Sequence, residues 1–177
     1  MVTKNIKEKI KEYFFINTSV KLRVRQIERE LKLPLPSVIR YCNELEKEGI
    51  LKKTEVAGVS LYSANRAHKK FILEKRLFNI RSIFNSGLID YFIEEYSNPS
   101  IFLFGSYSNG EDIENSDIDL YIESPSKKEA KLDKFEKILK RSIQTFIYPS
   151  IFKIDNKHLS NNIINGIILN GFLEVFK

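Results

Sequence analysis

Two short apolar runs, Ile101–Phe104 and Ile118–Ile122, stand on either side of a polar stretch that ends in Ser116-Asp117. Both are too short for a helix and rich in bulky or β-branched residues, so each reads as a buried strand. Gly105-Ser106 breaks the first run, and Ser-Asn-Gly at 108–110 begins a polar turn region. The second strand is expected over Asp117–Ile122. Side chains alternate along a strand, which puts Asp117 and Asp119 on one face, about 7 Å apart along the backbone. A sheet does not accept two carboxylates idly, because unpaired buried charge is costly. Two carboxylates on one edge can share a hard divalent cation. Magnesium favours this kind of site, taking a few carboxylates together with water and substrate phosphates. Gly105 lets the backbone approach a phosphate, with the Ser106 hydroxyl and nearby N–H groups as donors.

Helical patterns surround this unit. Residues 66–97 read as two helices. Phe71, Ile72, Lys75, Leu77, Ile80 and Ile83 mark the first; Leu88, Tyr91, Phe92 and Tyr96 line the second. Asn85-Ser86 and Gly87 separate them, and Asn98-Pro99 stops the second. A third helix is expected over 127–141, with Leu132, Phe135, Ile138 and Leu139 facing in. The strand after it falls within Ser142–Phe152. The apolar tail, 163–176, reads as core: a final helix and a short strand.

The first third of the chain has a different character. Residues 1–66 hold 14 Lys and Arg against 8 Asp and Glu, a net +6, while residues 67–177 hold 15 against 15. The whole excess of the chain's +6 therefore lies in one segment, which points to an anionic partner. Ile6, Ile10, Tyr13 and Phe14 mark a helix over 4–15, and Val24, Ile27 and Leu31 a second over 23–31. Pro36 reads as the start of a third, since proline is tolerated in the first turn. Val38, Ile39, Cys42 and Leu45 form its buried face, and Gly49 ends it. Residues 50–55 and 60–63 flank Val56-Ala57-Gly58-Val59, which suits a hairpin.

Three helices and a hairpin resemble a winged helix-turn-helix. The resemblance implies a recognition helix presenting Ser37, Arg40, Tyr41, Asn43 and Lys47 to duplex DNA, with Lys52 and Lys53 of the wing on phosphates. The later motif is more specific. Gly105-Ser106, ten residues, then Asp117-Ile118-Asp119 resembles the signature of the DNA polymerase β-type nucleotidyltransferases, and within them the minimal nucleotidyltransferases often described as antitoxins. Gly110, Ser116 and Leu120 fit that pattern too. The expected architecture is α+β: a winged helix-turn-helix at 1–66, a connecting helix at 67–83, and a nucleotidyltransferase-like domain with a mixed sheet flanked by helices at 84–177. The resemblance implies Asp117 and Asp119 as catalytic Mg²⁺ ligands, Gly105, Ser106 and Ser116 as nucleotide-binding residues, and ATP or another NTP as substrate.

One departure bears on activity. The family carries a third carboxylate on the strand after the next helix, yet no acidic residue lies between Glu136 and Asp155. Gln144 is the nearest polar residue for that place, and an amide cannot take a proton at neutral pH. Asp155 and Glu94 are the alternatives. Two functions follow. One is transfer of AMP to a hydroxyl on a protein or nucleic acid. The other is a DNA-binding regulator or antitoxin-like protein whose nucleotidyltransferase domain is degenerate.

Composition excludes several other classes. A single cysteine supports neither an internal disulfide framework nor a cysteine zinc site. No run approaches the roughly 20 apolar residues of a membrane helix, and the first residues lack a secretory h-region. A cytoplasmic protein without membrane contact is expected.

Overall fold

Three helices open the chain: α1 (Ile6–Ile16), α2 (Val24–Leu31) and α3 (Leu35–Lys47). They are seen in a computed structural model that describes residues 5–126 and 128–174. Asn5 caps α1, its Oδ1 accepting from the Lys7 N–H. Pro36 falls in the first turn of α3, where a missing N–H leaves no bond unmade. Ile10, Phe14 and Phe15 pack with Ile27, Val38, Cys42 and Leu45 in one apolar cluster. Burial pushes the Cys42 thiol up to about 12. Ile39, an expected core residue, stays outside and is 42% exposed. The buried positions 38, 42 and 45 define the face, and Ile39 lies about 100° around the helix from Val38.

Strands β2 (Leu51–Val56) and β3 (Val59–Ala64) form the hairpin, with Val56 opposite Val59. Ala57 and Gly58 both take positive φ, +49° and +74°, as a two-residue hairpin turn requires. A strand of only two residues, β1 (Lys21–Leu22), pairs with β3 to give the order β1-β3-β2. Two residues carry no readable period, so the sequence did not announce it.

The chain divides into two compact units, residues 1–78 and 79–177. Helix α4 (Lys69–Ser86) contributes to both: Phe71 and Phe78 to the first core, Ile80 and Ile83 to the second. Gly87, with φ +76°, separates it from α5 (Leu88–Glu95).

The second unit is α+β. Its elements run β4 (Ser100–Phe104), α6 (Gly105–Asn109), β5 (Ile118–Glu123), α7 (Asp133–Leu139), β6 (Ile143–Tyr148), α8 (Lys157–Ile164) and β7 (Ile167–Asn170), with a 3₁₀ turn at Ile151–Lys153. The sheet order is β6-β5-β4-β7, and only β5 and β6 run parallel, so the sheet is mixed. Alternation sorts its side chains. Ile101, Leu103, Ile118, Leu120 and Ile122 pack with Leu88, Ile89 and Phe92 of α5 and Phe135 of α7. Phe102, Phe104 and Tyr121 face the other way, against Ile151, Ile154 and Ile163.

Four expectations are corrected here. The polar turn at 108–110 is the end of the short helix α6, with Tyr107 and Ser108 buried. Strand β5 starts at Ile118, which leaves Asp117 just before it. Helix α7 is half the expected length. Residues 128–132 are held in a non-helical strap, the Tyr96 hydroxyl donating to the Lys128 carbonyl and the Lys131 N–H donating to the Tyr91 hydroxyl. Ile138, expected inside, is 52% exposed. Lys127 and residues 175–177, at the ends of two expected elements, lie outside the described residues.

Candidate functional site

The polar site forms where β4 stops. Phe104 is directly opposite Asp119 on β5, and Asp119 is directly opposite Gln144 on β6, so the three form one row across the sheet. Directly opposed residues point to the same face. Gln144 therefore stands beside Asp119. Gly105 follows Phe104 with φ +74° and lies against the Asp119 carboxylate, where a Cβ would collide with Oδ2. The backbone angle favours glycine, and any side chain here would have to displace the Asp119 carboxylate. Asp117 precedes the strand and is exposed, while Asp119 is half-buried. Burial raises the Asp119 pKa above the usual carboxylate range, and the Asp117 charge adds to the shift.

The remaining predicted residues gather around this row. Ser106 is half-buried in the first turn of α6. Ser108, expected only as part of a polar turn, donates from its hydroxyl to the Gly105 carbonyl at 2.7 Å and steadies that turn. The Ser116 hydroxyl accepts from the Ile113 N–H at 3.0 Å, closing the turn that leads into Asp117. Among the described residues, no group of three His, Cys, Asp or Glu side chains could hold a metal. Glu94 rides on α5, which covers the opposite face of the sheet. Asp155 is exposed and completes no such group. Two carboxylates remain. They suit magnesium, which binds through one or two carboxylates when phosphates and water supply the rest. A cation beside the pair would offset the repulsion that adds to the raised Asp119 pKa.

A buried polar network beneath the site was not foreseen. Asn79 on α4 donates from Nδ2 to the Tyr107 carbonyl at 2.9 Å and to Asp112 Oδ1 at 2.7 Å. The Arg141 guanidinium lies 3.7 Å from Asp112 Oδ2, with only 6% and 1% of the two side chains exposed. The network joins α6, the loop before Asp117 and the segment leading into β6. A hollow of about 550 Å³ opens beside it, lined by Ser116, Asp117, Glu136, Lys137, Lys140 and Arg141 among others. Asp112 and Arg141 are 29 positions apart, and nothing in their local pattern pairs them.

The basic residues of the first unit are largely on its surface. Arg40, Asn43, Lys47, Lys52 and Lys53 are exposed, and Ser37 and Tyr41 half-exposed. Arg40, Asn43 and Lys47 share one face of α3, at spacings of three and four. The Arg40 guanidinium stacks over the Tyr41 ring at 4.3 Å and donates to its hydroxyl. Asn43 is partly engaged, its Oδ1 accepting from the Tyr62 hydroxyl at 2.6 Å, which ties the hairpin to α3.

Residues 86–168, just under half of the chain, match the family model of the nucleotidyltransferase domain. That match supports a general nucleotidyl-transfer function for this part of the molecule. No curated protein and no solved structure gives a significant match. Among the described residues, no helix is long and apolar enough to cross a membrane.

Proposed function

We propose that residues 79–177 transfer a nucleoside monophosphate, AMP from ATP, to a hydroxyl of a protein or nucleic acid, with Mg²⁺ held by Asp117 and Asp119. The observation that carries this reading is Gly105 in a left-handed conformation against the Asp119 carboxylate, with Asp117 two residues away. A side chain at 105 would fill the space beside the carboxylate that a metal-bound phosphate needs. The metal would neutralise the phosphates and polarise the α-phosphorus. Gly105 and Ser106 hold the β- and γ-phosphates through N–H and hydroxyl donors, and Ser116 keeps Asp117 in place through its bond to Ile113. The acceptor oxygen bonds to the α-phosphorus, and the bond to the bridging oxygen breaks. Pyrophosphate leaves with that electron pair. Gln144 beside Asp119 cannot accept the hydroxyl proton, so the proton passes to water. The first unit is read as a winged helix-turn-helix that grips duplex DNA through α3 and the Lys52-Lys53 strand.

The test is incubation of the full chain with labelled ATP and Mg²⁺, following pyrophosphate release. A slow rate that rises with pH is expected, since the acceptor loses its proton without a neighbouring base. Gln144→Asp is expected to raise transfer about 10²-fold without tightening nucleotide binding, because a general base acts on the acceptor. Enzyme-like turnover by the unaltered chain, unchanged in Gln144→Asp, would overturn the reading of Gln144. The presence of an amide there also favours a second reading, a DNA-binding regulator that retains nucleotide binding alone. Mg²⁺-dependent ATP binding with no release of pyrophosphate under any condition would select it.

A further inference from the structure

The sheet of the second unit ends on one side in β6, a strand of six residues, Ile143-Gln-Thr-Phe-Ile-Tyr148. The Ile118 N–H donates to the Ser142 carbonyl and the Ser124 N–H to the Tyr148 carbonyl, both at 2.9 Å. Ser142 and Tyr148 thus turn their main-chain groups toward β5, and Gln144 and Phe146 turn with them. Those of Ile143, Thr145 and Ile147 turn outward, because the groups alternate along a strand. Glu136 Oε1 takes up the Ile143 N–H at 2.9 Å. Among the described residues, no hydrogen bond reaches the N–H of Thr145 or Ile147. A hollow of about 580 Å³ opens beside them, lined by Ala130, Thr145, Ile147 and Pro149 among others.

An open ladder of this kind templates another strand unless something blunts it. The other sheet edges are blunted: β2 carries Lys52, Lys53 and Glu55, β1 has two residues, and β7 has four with a register shift against β4. Strand β6 has no charge, and its register with β5 is unbroken. Its Phe146, Ile147 and Tyr148 are half-buried, where Leu120, Tyr121 and Ile122 of β5 are fully buried. The strand's own sequence fits the open edge. In an antiparallel pair about a two-fold axis at Ile147, that residue and its copy face each other and exchange both N–H···O bonds. Each Thr145 N–H then meets the opposite Pro149 carbonyl, and Pro149, which has no N–H, stands at the end of the ladder. Phe146 faces Tyr148 of the second copy, an aromatic cross-strand match. The end of β6 that Glu136 holds stays outside this register, and no charge on the strand opposes its own copy. Self-matching two-fold contacts are the commonest in soluble assemblies. We propose that the chain dimerises through β6, which pairs antiparallel with β6 of a second copy so that one sheet runs across both.

Sedimentation equilibrium of the full chain over a concentration series tests this, and a reversible dimer is expected. Ile147→Lys and Ile147→Glu each set like charges against themselves at the axis, and each is expected to weaken association at least tenfold. Mixed in equal amounts, the two variants are expected to associate again, less so in high salt. In the parent, amide hydrogen exchange at Thr145 and Ile147 is expected to slow at least tenfold from dilute to concentrated solution. That measurement decides the matter even if a variant fails to fold. A chain that stays monomeric up to about 1 mM would overturn the proposal. So would a dimer that persists in Ile147→Lys while exchange at Thr145 and Ile147 ignores concentration, since the interface would then lie elsewhere. Variants that keep the circular dichroism of the parent but do not associate on mixing would overturn the pairing at Ile147. Slow exchange at both amides in dilute monomer would overturn it too, because the edge would already be covered.

Discussion

The two units of this chain carry net charge of opposite sign. Residues 1–78 hold 18 Lys and Arg against 9 Asp and Glu, a net +9; residues 79–177 hold 11 against 14, a net −3. The first unit keeps an apolar core of Phe14, Phe15, Ile27 and Leu45 and, apart from the buried Lys75, carries its charge at the surface. The second buries Asp112, Arg141 and Asn79 and keeps Asp119 half-buried. A surface that meets a polyanion needs cations free in solvent, where their field reaches outward. A site that meets a metal needs anions fixed in place, and fixing them takes partners inside the protein.

The most severe break of this contrast is loss of the fixed anions. Asp119→Asn is expected to lower Mg²⁺-dependent ATP binding at least about 10²-fold, measured by calorimetric titration, because only the Asp117 carboxylate is then left to hold a metal against the phosphates. Folding is expected to survive and, without metal, to improve. The raised pKa of Asp119 means that the folded chain holds its proton more tightly than the unfolded chain does. Ionising Asp119 therefore costs stability as pH rises through the carboxylate range, and the amide removes that cost. A metal-free Asp119→Asn protein that melts well below the parent at neutral pH would refute this.

The second break targets the scaffold. Asp112→Ala leaves the buried Arg141 guanidinium without its 3.7 Å counter-charge and Asn79 without its Asp112 acceptor. Removing one member of a buried pair typically costs about 3–5 kcal/mol. Urea unfolding should place the destabilisation in that range. A value below about 1 kcal/mol would mean that the pair behaves like an exposed one.

Legibility in the sequence follows the same division. The two strands that flank Gly105 and Asp117 could be read because short β-rich runs act over a few positions, although Asp117 itself falls just outside β5. The hairpin could be read for a similar reason, since Ala57-Gly58 sits between two β-rich runs. The Asp112–Arg141 pair could not, because only the parallel β5–β6 pairing brings those segments together. Neither could the strap at 128–132, which is held by the hydroxyls of Tyr91 and Tyr96 more than thirty residues away. Ile39 was misassigned because Val38 and Ile39 are adjacent apolar residues, and periodicity alone does not say which of two neighbours turns inward.

The third prediction tests the exposed cations of the first unit. Replacing Lys47, Lys52 and Lys53 together by Ala is expected to reduce duplex DNA affinity roughly uniformly across sequences. It should also flatten the dependence of log K on log salt by about one unit for each phosphate that a lysine no longer neutralises. An unchanged salt slope would remove these lysines from the interface. Stability should barely move, since all three side chains are exposed.

The smallest effect is expected where the first unit does pair its charges. Lys7 Nζ reaches Glu48 at 2.5 Å and Glu44 at 3.4 Å, and Lys70 reaches Glu48 from the other side at 3.6 Å. The hydrogen bond to Lys7 holds the Glu48 carboxyl below its usual range, and the same bond raises the Lys7 ammonium. A lowered acid adds stability that is present above its unfolded pKa and disappears as pH falls through the folded one. A raised base adds stability below its unfolded pKa, which disappears as pH rises through the folded one. The pair therefore contributes between about pH 4.5 and 10.5, the ordinary values of the two groups. Both side chains are partly exposed, 23% and 36%, so solvent screens the attraction. Glu48→Gln should cost only about 0.2–1 kcal/mol at pH 7. The difference from the parent should vanish below the Glu48 titration and shrink in high salt. A cost of several kcal/mol at pH 7 that persists at pH 3 would show that Glu48 acts through packing instead, and that the first unit, like the second, depends on a polar group held inside.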